Sequence, residues 1–250
     1  MCELFGLTGD RKTRINELLK TFFSHSVKHQ NGWGIAVTDT KPVLIEKEAR
    51  KAYESDYLKT LLEKDISVCG CIAHIRRASI GEESILNTHP FEVTDSSGRQ
   101  WILAHNGTIF ESPALRPYQY RQKGATDSER ILLYLVDLAG SCKDAETRFK
   151  ALEEGIKTIS VGNKTNLLIF DGEYFYVHKN HAGSLHQKEG TGTVIFSTQP
   201  LEEEGWQETE GNRLLVYKRG ELVYKGAVHE NTYIYDEEKM KHIYLAYSGL

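Results

Sequence analysis

No stretch of this 250-residue chain is apolar for long enough to span a bilayer, and no charged-then-apolar leader opens it. The expectation is a cytoplasmic protein with no membrane partner. A basic excess is missing too: 31 Lys and Arg stand against 35 Asp and Glu, and no lysine- or arginine-rich stripe interrupts that balance. Nucleic acid is therefore not an expected partner. Only four cysteines occur, and none has His or Cys neighbours at zinc spacing, so free thiols and no bound metal are expected. Cys69 and Cys71 flank Gly70 in a buried-strand pattern that suits core packing, and Cys142 sits in a loop before a helix. No Pro- or Ser-rich linker and no internal repeat divides the chain, so residues 1–250 read as a single domain.

What is present is a succession of short strands and a few strong helices. Residues 3–8 form an apolar, strand-like run. Ile15, Leu18, Leu19, Phe22 and Phe23 recur at helical spacing, which predicts a helix over 13–30 stopped by Asn31-Gly32. Strands are expected at 34–38 and 43–46, a helix at 55–64 and a buried strand at 67–75. The polar stretch 80–100 reads as loop, followed by a strand at 101–105 that Asn106-Gly107 would close as a turn. Thr126 and Glu129 have capping-box spacing ahead of Ile131, Leu132, Leu135 and Leu138, which predicts a helix over 126–140. Another is expected over 144–159, with Ser141 as its cap. The last third reads as strands at 167–170, 174–178, 194–197, 214–218 and 222–224, separated by turns such as Asp171-Gly172. Strands and helices arrive in runs rather than in strict alternation, so the class is α+β, and two sheets face to face with helices outside would accommodate every piece.

Cys2 carries the most chemical information. A small residue at position 2 normally lets the start methionine be trimmed, and trimming would make Cys2 the amino terminus. One residue would then hold a thiol of reference pKa about 8.5 and an α-amine of about 7.7–8.0, a nucleophile with its own base. A buried cysteine at the head of a strand can equally serve as a small apolar side chain.

Four clusters bear on the choice. Arg76 and Arg77 follow a buried strand and should point to opposite faces; an inward guanidinium needs an anion, either a substrate carboxylate clamped by two hydrogen bonds or an internal Asp or Glu. Asn106-Gly107 is either a plain turn or a pair of donors for the oxyanion formed when a thiolate attacks an amide. Asp127 either favours the helix dipole at a helix start or binds an ammonium group. Asn31-Gly32-Trp33-Gly34 and Asn87-Thr88-His89-Pro90-Phe91 hold rare residues, with Trp33 and Phe91 reading as core aromatics and His89 as structural. Together these groups suit attack on the side-chain amide of a free amino acid.

With these motifs in order, the chain resembles the class II glutamine amidotransferases of the N-terminal-nucleophile hydrolases, most of all their small stand-alone members. Met1-Cys2-Glu3-Leu4-Phe5-Gly6, the glycine-rich element at Asn31, the arginine pair, the His89 and Asn106 motifs, Thr126-Asp127-Ser128-Glu129 and Ser197-Thr198-Gln199-Pro200-Leu201 follow the family's order. The resemblance implies a four-layer αββα sandwich. It implies Cys2 as nucleophile, Asn106 and Gly107 as oxyanion hole, Arg76 and Asp127 as binders of the substrate α-carboxylate and α-amine, and Ser79 and His89 as lining of the glutamine pocket. No metal or cofactor is implied. The substrate would be glutamine or a γ-glutamyl small molecule, cleaved through a thioester, with ammonia passed to a separate synthase or simply released. Many relatives carry Thr at position 79, Trp at 77 and His at 80, so this chain departs from them beside the substrate. The rival expectations are a catalytically silent binding or regulatory subunit, and an N-terminal-cysteine amidase for larger acyl amides.

Overall fold

Successive residues at the head of the chain enter two different apolar environments. Leu4 packs into one core while Phe5 and Leu7 pack into another, all without solvent exposure. A strand apolar on both faces belongs at the centre of a sheet that is covered on both sides. The structure, a computed structural model, describes residues 2–78 and 82–241.

The elements run β1 (Glu3–Arg14), α1 (Asn16–Ser24), β2 (Trp33–Val37), β3 (Leu44–Glu48), α2 (Asp56–Glu63), β4 (Ser67–Ile75), β5 (Phe91–Thr94) and β6 (Gln100–Thr108). They continue with α3 (Asp127–Ala139), α4 (Ala145–Ile159), β7 (Lys164–Phe170), β8 (Phe175–His178), β9 (His186–Gly190), β10 (Thr193–Ser197), β11 (Trp206–Glu208), β12 (Leu215–Lys218) and β13 (Glu221–Lys225). One sheet has the order β11-β9-β10-β1-β4-β2-β3, the other β13-β12-β8-β7-β6-β5, and the neighbours pair antiparallel.

Three apolar layers hold the four structural ones together. Leu4, Ile72, Ile102, Leu168, Phe175 and Phe196 fill the space between the sheets. Helices α1 and α2 cover the first sheet through Phe22, Leu19, Leu58 and Leu62 against Phe5, Leu7 and Trp33. Helices α3 and α4 cover the second through Ile131, Leu135, Leu152 and Ile156 against Trp101, Leu103 and Ile169. Each such side chain contributes roughly 1.5–3 kcal/mol by leaving water. The result is the expected αββα sandwich. Gly6 lets the sheets approach: a Cβ there would stand 2.9 Å from both Leu168 and Phe175. Among the described residues, no helix is long and apolar enough to cross a membrane.

Several local expectations are corrected. The helix expected from residue 13 starts at Asn16, because Thr13 and Arg14 still pair with Val68 and Ser67 of β4. The stretch 80–100 contains β5, held by Phe91–Leu103 and Val93–Trp101 pairing. Asn106 and Gly107 are not a turn; they continue β6 opposite Asn166 and Thr165. Asp144, not Ser141, caps α4, its carboxylate accepting the Thr147 N–H at 2.8 Å. Leu138 is 39% exposed and lies off the buried face of α3.

Candidate active site

Cys2 immediately precedes β1 and is half-buried at the end of the first sheet. Its sulfur lies 3.3 Å from the Arg77 N–H, which donates to it, and 3.4 Å from the Arg77 carbonyl. Burial pushes the thiol pKa up. The Arg77 N–H and the Arg76 charge oppose that shift, and the Asp127 carboxylate reinforces it. Strand end, arginine loop and the start of α3 thus act on one sulfur.

The arginine pair splits as the strand geometry requires: Arg76 is buried and Arg77 exposed. Arg76 Nη1 donates to the Glu82 carbonyl at 3.0 Å and to the Asn31 carbonyl at 3.4 Å. Asn31 organises this loop from its other side. Its N–H donates to the Arg76 carbonyl, its Oδ1 accepts the Ala78 N–H at 2.8 Å, and its Nδ2 donates to Glu83 at 2.7 Å. Gly32, at φ 137, sits against Thr88, and a side chain there would be strained as well as crowded.

Across the sheet interface, Asn106 is 1% exposed and its Nδ2 donates to Thr198 Oγ1 at 3.3 Å. Thr198 in turn fastens the start of β1: its Oγ1 accepts the Leu4 N–H at 2.9 Å and its N–H donates to the Leu4 carbonyl at 3.0 Å. Asn106 Oδ1 is buried and finds no partner among the described residues. A Cβ on Gly107 would collide with the Lys164 carbonyl and the His105 ring, so glycine is obligatory there.

Asp127 opens α3, where Thr126 caps the helix by accepting the Glu129 N–H. Its Oδ2 accepts the Ile109 N–H at 2.8 Å and its Oδ1 lies 3.3 Å from Ser128 Oγ. Glu129 does not complete a capping box; its carboxylate accepts the Lys123 and Gly124 N–H groups instead. His89 is buried, stacked 4.0 Å from His74 and edge-on to Phe91 at 4.6 Å. Neither of its ring nitrogens has a partner among the described residues, and burial holds it well below the usual imidazole range, hence neutral. Ser79 lies outside the described residues.

A cavity of about 500 Å³ opens beside Cys2 and Asn106, walled by Glu3, His25, His29, Arg77, Lys164, Thr198 and Gln199 among others. Glu3 is buried on this wall, its Oε2 2.8 Å from His25 Nδ1 and its Oε1 accepting from Gln199 at 2.8 Å. His25 is pushed up by the Glu3 hydrogen bond. Burial lowers Lys164 to about 8, while the nearby Cys2 favours its charge.

The family model of class-II glutamine amidotransferases matches residues 1–188. The chain belongs to that family. An uncharacterized protein of Methanocaldococcus jannaschii is 31% identical over 90% of this chain and 71% of its own length. A Haemophilus influenzae protein, provisionally named a glutamine amidotransferase, is 27% identical over 89% of this chain and 86% of its own. Among solved structures, the glutamine phosphoribosylpyrophosphate amidotransferase of B. subtilis superposes with a TM-score of 0.68 at 17% identity. That match covers 92% of this chain and 50% of the other, and it shows the shared N-terminal-nucleophile fold.

Around Cys2, the sequence motifs did not point to Asn31 as the clamp of the arginine loop, Thr198 as the link between β1 and Asn106, or the Glu3–His25–Gln199 group. Asn31 and Glu3 did carry a signal. Polar residues embedded in otherwise apolar or glycine-rich motifs stay there only if hydrogen-bonded.

Proposed function

We propose that the chain hydrolyses the side-chain amide of glutamine or of a γ-glutamyl compound through a thioester at Cys2. The reading is carried by one observation: the Cys2 sulfur, beside Asn106, lies within the fields of a buried arginine and a helix-start aspartate. A zwitterionic amino acid head group needs both charges.

In this mechanism the α-amine of Cys2, freed by removal of Met1, takes the thiol proton. The sulfur attacks the amide carbonyl, and the resulting oxyanion is met by the Gly107 N–H and by Asn106. Turning the Asn106 amide over would let the Thr198 hydroxyl donate to Oδ1 and would aim Nδ2 into the cavity, which satisfies both groups. The C–N bond then breaks, the departing amine takes the proton held by the Cys2 ammonium, and water hydrolyses the thioester to glutamate. Arg76 holds the α-carboxylate, Asp127 the α-ammonium, and neutral His89 lines the glutamyl pocket. Ammonia, where glutamine is the substrate, is released or passed to a separate synthase.

Glutamate release by purified protein tests this reading. Cys2→Ala should abolish it by at least about a thousandfold. Turnover unchanged in that variant, or activity in a form whose intact mass still includes Met1, would refute it.

A further inference from the structure

Strand parity brings a buried cation to the nucleophile. In β1, Leu4 faces the space between the sheets, so Cys2, two residues earlier, lies on that same side at the strand's head. In β6, Ile102 and Ala104 face this space, which puts Asn106 there. In β7, Leu168 does, which puts Lys164 there by the same alternation. Asn106 pairs with Asn166 and Thr108 with Lys164, so these groups gather at one end of the sandwich. Cys2, Asn106 and Lys164 meet on the wall of the cavity described above. Among the described residues, the lysines and arginines of that wall are Lys28 and Arg77, both exposed, and Lys164, which is 2% exposed. His25 and His29 lie against the Glu3 carboxylate, and His181 Nδ1 is 3.0 Å from the Tyr233 carbonyl. Exposed charges act through water and are screened by salt, whereas a charge at low dielectric acts on its neighbour far more strongly.

We infer that Lys164 is the counter-ion of the Cys2 thiolate, a cation that acts on the sulfur across the cavity and is not engaged by the substrate head group. The inference rests on the reaction proposed above, in which Arg76 and Asp127 are both taken up by the amino acid. Arg76 then no longer offsets the burial of the thiol at the moment the sulfur must ionise. Lys164 keeps its charge free for that step. A negative Cys2 favours the charged form of Lys164, and such coupling is reciprocal, so the ammonium favours the thiolate by the same free energy. Burial lowers Lys164 to about 8 with Cys2 opposing the shift, which leaves it mostly an ammonium near neutral pH. Behind it, the His105 ring donates to the Lys164 carbonyl and is kept neutral by its own burial, so no second cation stands there.

Alkylation of Cys2 by iodoacetamide across a pH series, followed by mass spectrometry of the N-terminal peptide, reads the thiol directly and needs no turnover. Lys164→Met, similar in length and uncharged, should move the midpoint up by about one pH unit, so that alkylation near neutral pH falls about tenfold. The kcat for glutamine should fall by about the same factor, with KM changed little. Lys164→Arg supplies a permanent positive charge and should bring both quantities back towards wild type. An unmoved alkylation profile in Lys164→Met overturns the inference even if kcat falls, because lost packing lowers kcat without touching the thiol. Equal defects in the Met and Arg variants also overturn it and make Lys164 a proton acceptor, a role closed to a guanidinium. A shifted thiol profile in a protein whose Cys2→Ala variant still releases glutamate would overturn the reaction and leave the ion pair standing.

Discussion

Thr198→Val is the sharpest perturbation of the reasoning, because it replaces a hydroxyl by a methyl of nearly the same size. Threonine here makes three connections: Oγ1 accepts the Leu4 N–H, Oγ1 meets Asn106 Nδ2, and the backbone N–H donates to the Leu4 carbonyl. Valine keeps only the last. The Leu4 N–H is then left without this acceptor at a fully buried residue, which costs about 1–3 kcal/mol. For a chain of this size that corresponds to a fall in Tm of roughly 2–12 °C. Asn106 loses its anchor as well, so an oxyanion donor worth about 2.7–4 kcal/mol when fully in place would be partly misplaced. We expect kcat to fall about 10–100-fold, with KM for glutamine changed much less. Thr198→Ser, which retains the hydroxyl, should restore most of the loss. A melting curve and steady-state glutamate release on the three proteins decide the matter. If kcat stays at the wild-type level while Tm drops, Thr198 only fastens the strand and the role given to Asn106 is wrong.

Two further outcomes follow from the same geometry. Asp127→Asn keeps an acceptor for the Ile109 N–H but removes the negative charge, so kcat/KM should fall by about 100-fold or more for substrates with a free α-ammonium and far less for their N-acetyl counterparts; equal losses on both would count against the assignment. His25 has a folded-state pKa raised by Glu3, so its contribution to stability is complete below the unfolded value of about 6.5 and fades as pH rises through the higher folded value. His25→Gln should therefore lower Tm more at about pH 5.5 than at about pH 8.5, and a difference independent of pH would remove the charge from the explanation.

Much of the sandwich is legible from local pattern. The α3 face of Ile131, Leu132 and Leu135, the Thr126 cap, and the unbroken apolar run of β4 are signals carried by neighbouring residues, and they appear where the pattern puts them. The misreadings share a cause in pairing across the chain. Asn106-Gly107 has the sequence of a hairpin turn, yet it stays extended because β7 supplies Asn166 and Thr165 opposite it. Similarly, β5 is short and polar at alternate positions, and it becomes a strand because β6 offers its edge. The site divides along the same line. Residues whose chemistry is unusual for their position, Cys2, Arg76 and Asp127, are visible in sequence. Thr198 is an ordinary polar residue, and only the approach of distant strands gives it work.

The electrostatics at Cys2 bear on which group can serve as its base. Burial raises the thiol, so few sulfurs are ionised near neutral pH, and two side-chain charges act on it in opposite senses: Arg76 lowers the pKa and Asp127 raises it. A bound amino acid would place a carboxylate against the arginine and an ammonium against the aspartate, largely neutralising both effects together. Substrate binding therefore cannot by itself supply the ionised sulfur. His105 and His89 do not supply it either, since burial lowers both pKa values; His105 donates its Nε2 hydrogen to the Lys164 carbonyl and faces Ser128, while His89 stacks on His74. Two amines remain as candidate bases: the residue's own backbone nitrogen, and Lys164 on the same cavity wall, lowered to about 8 by burial. As an amide, in a chain that keeps Met1, the backbone nitrogen cannot accept a proton. As a free amine of pKa about 7.7–8.0 it is partly unprotonated at neutral pH and can. Under the mechanism proposed above, the balance of charge around Cys2 and the removal of the residue before it therefore act on the same proton.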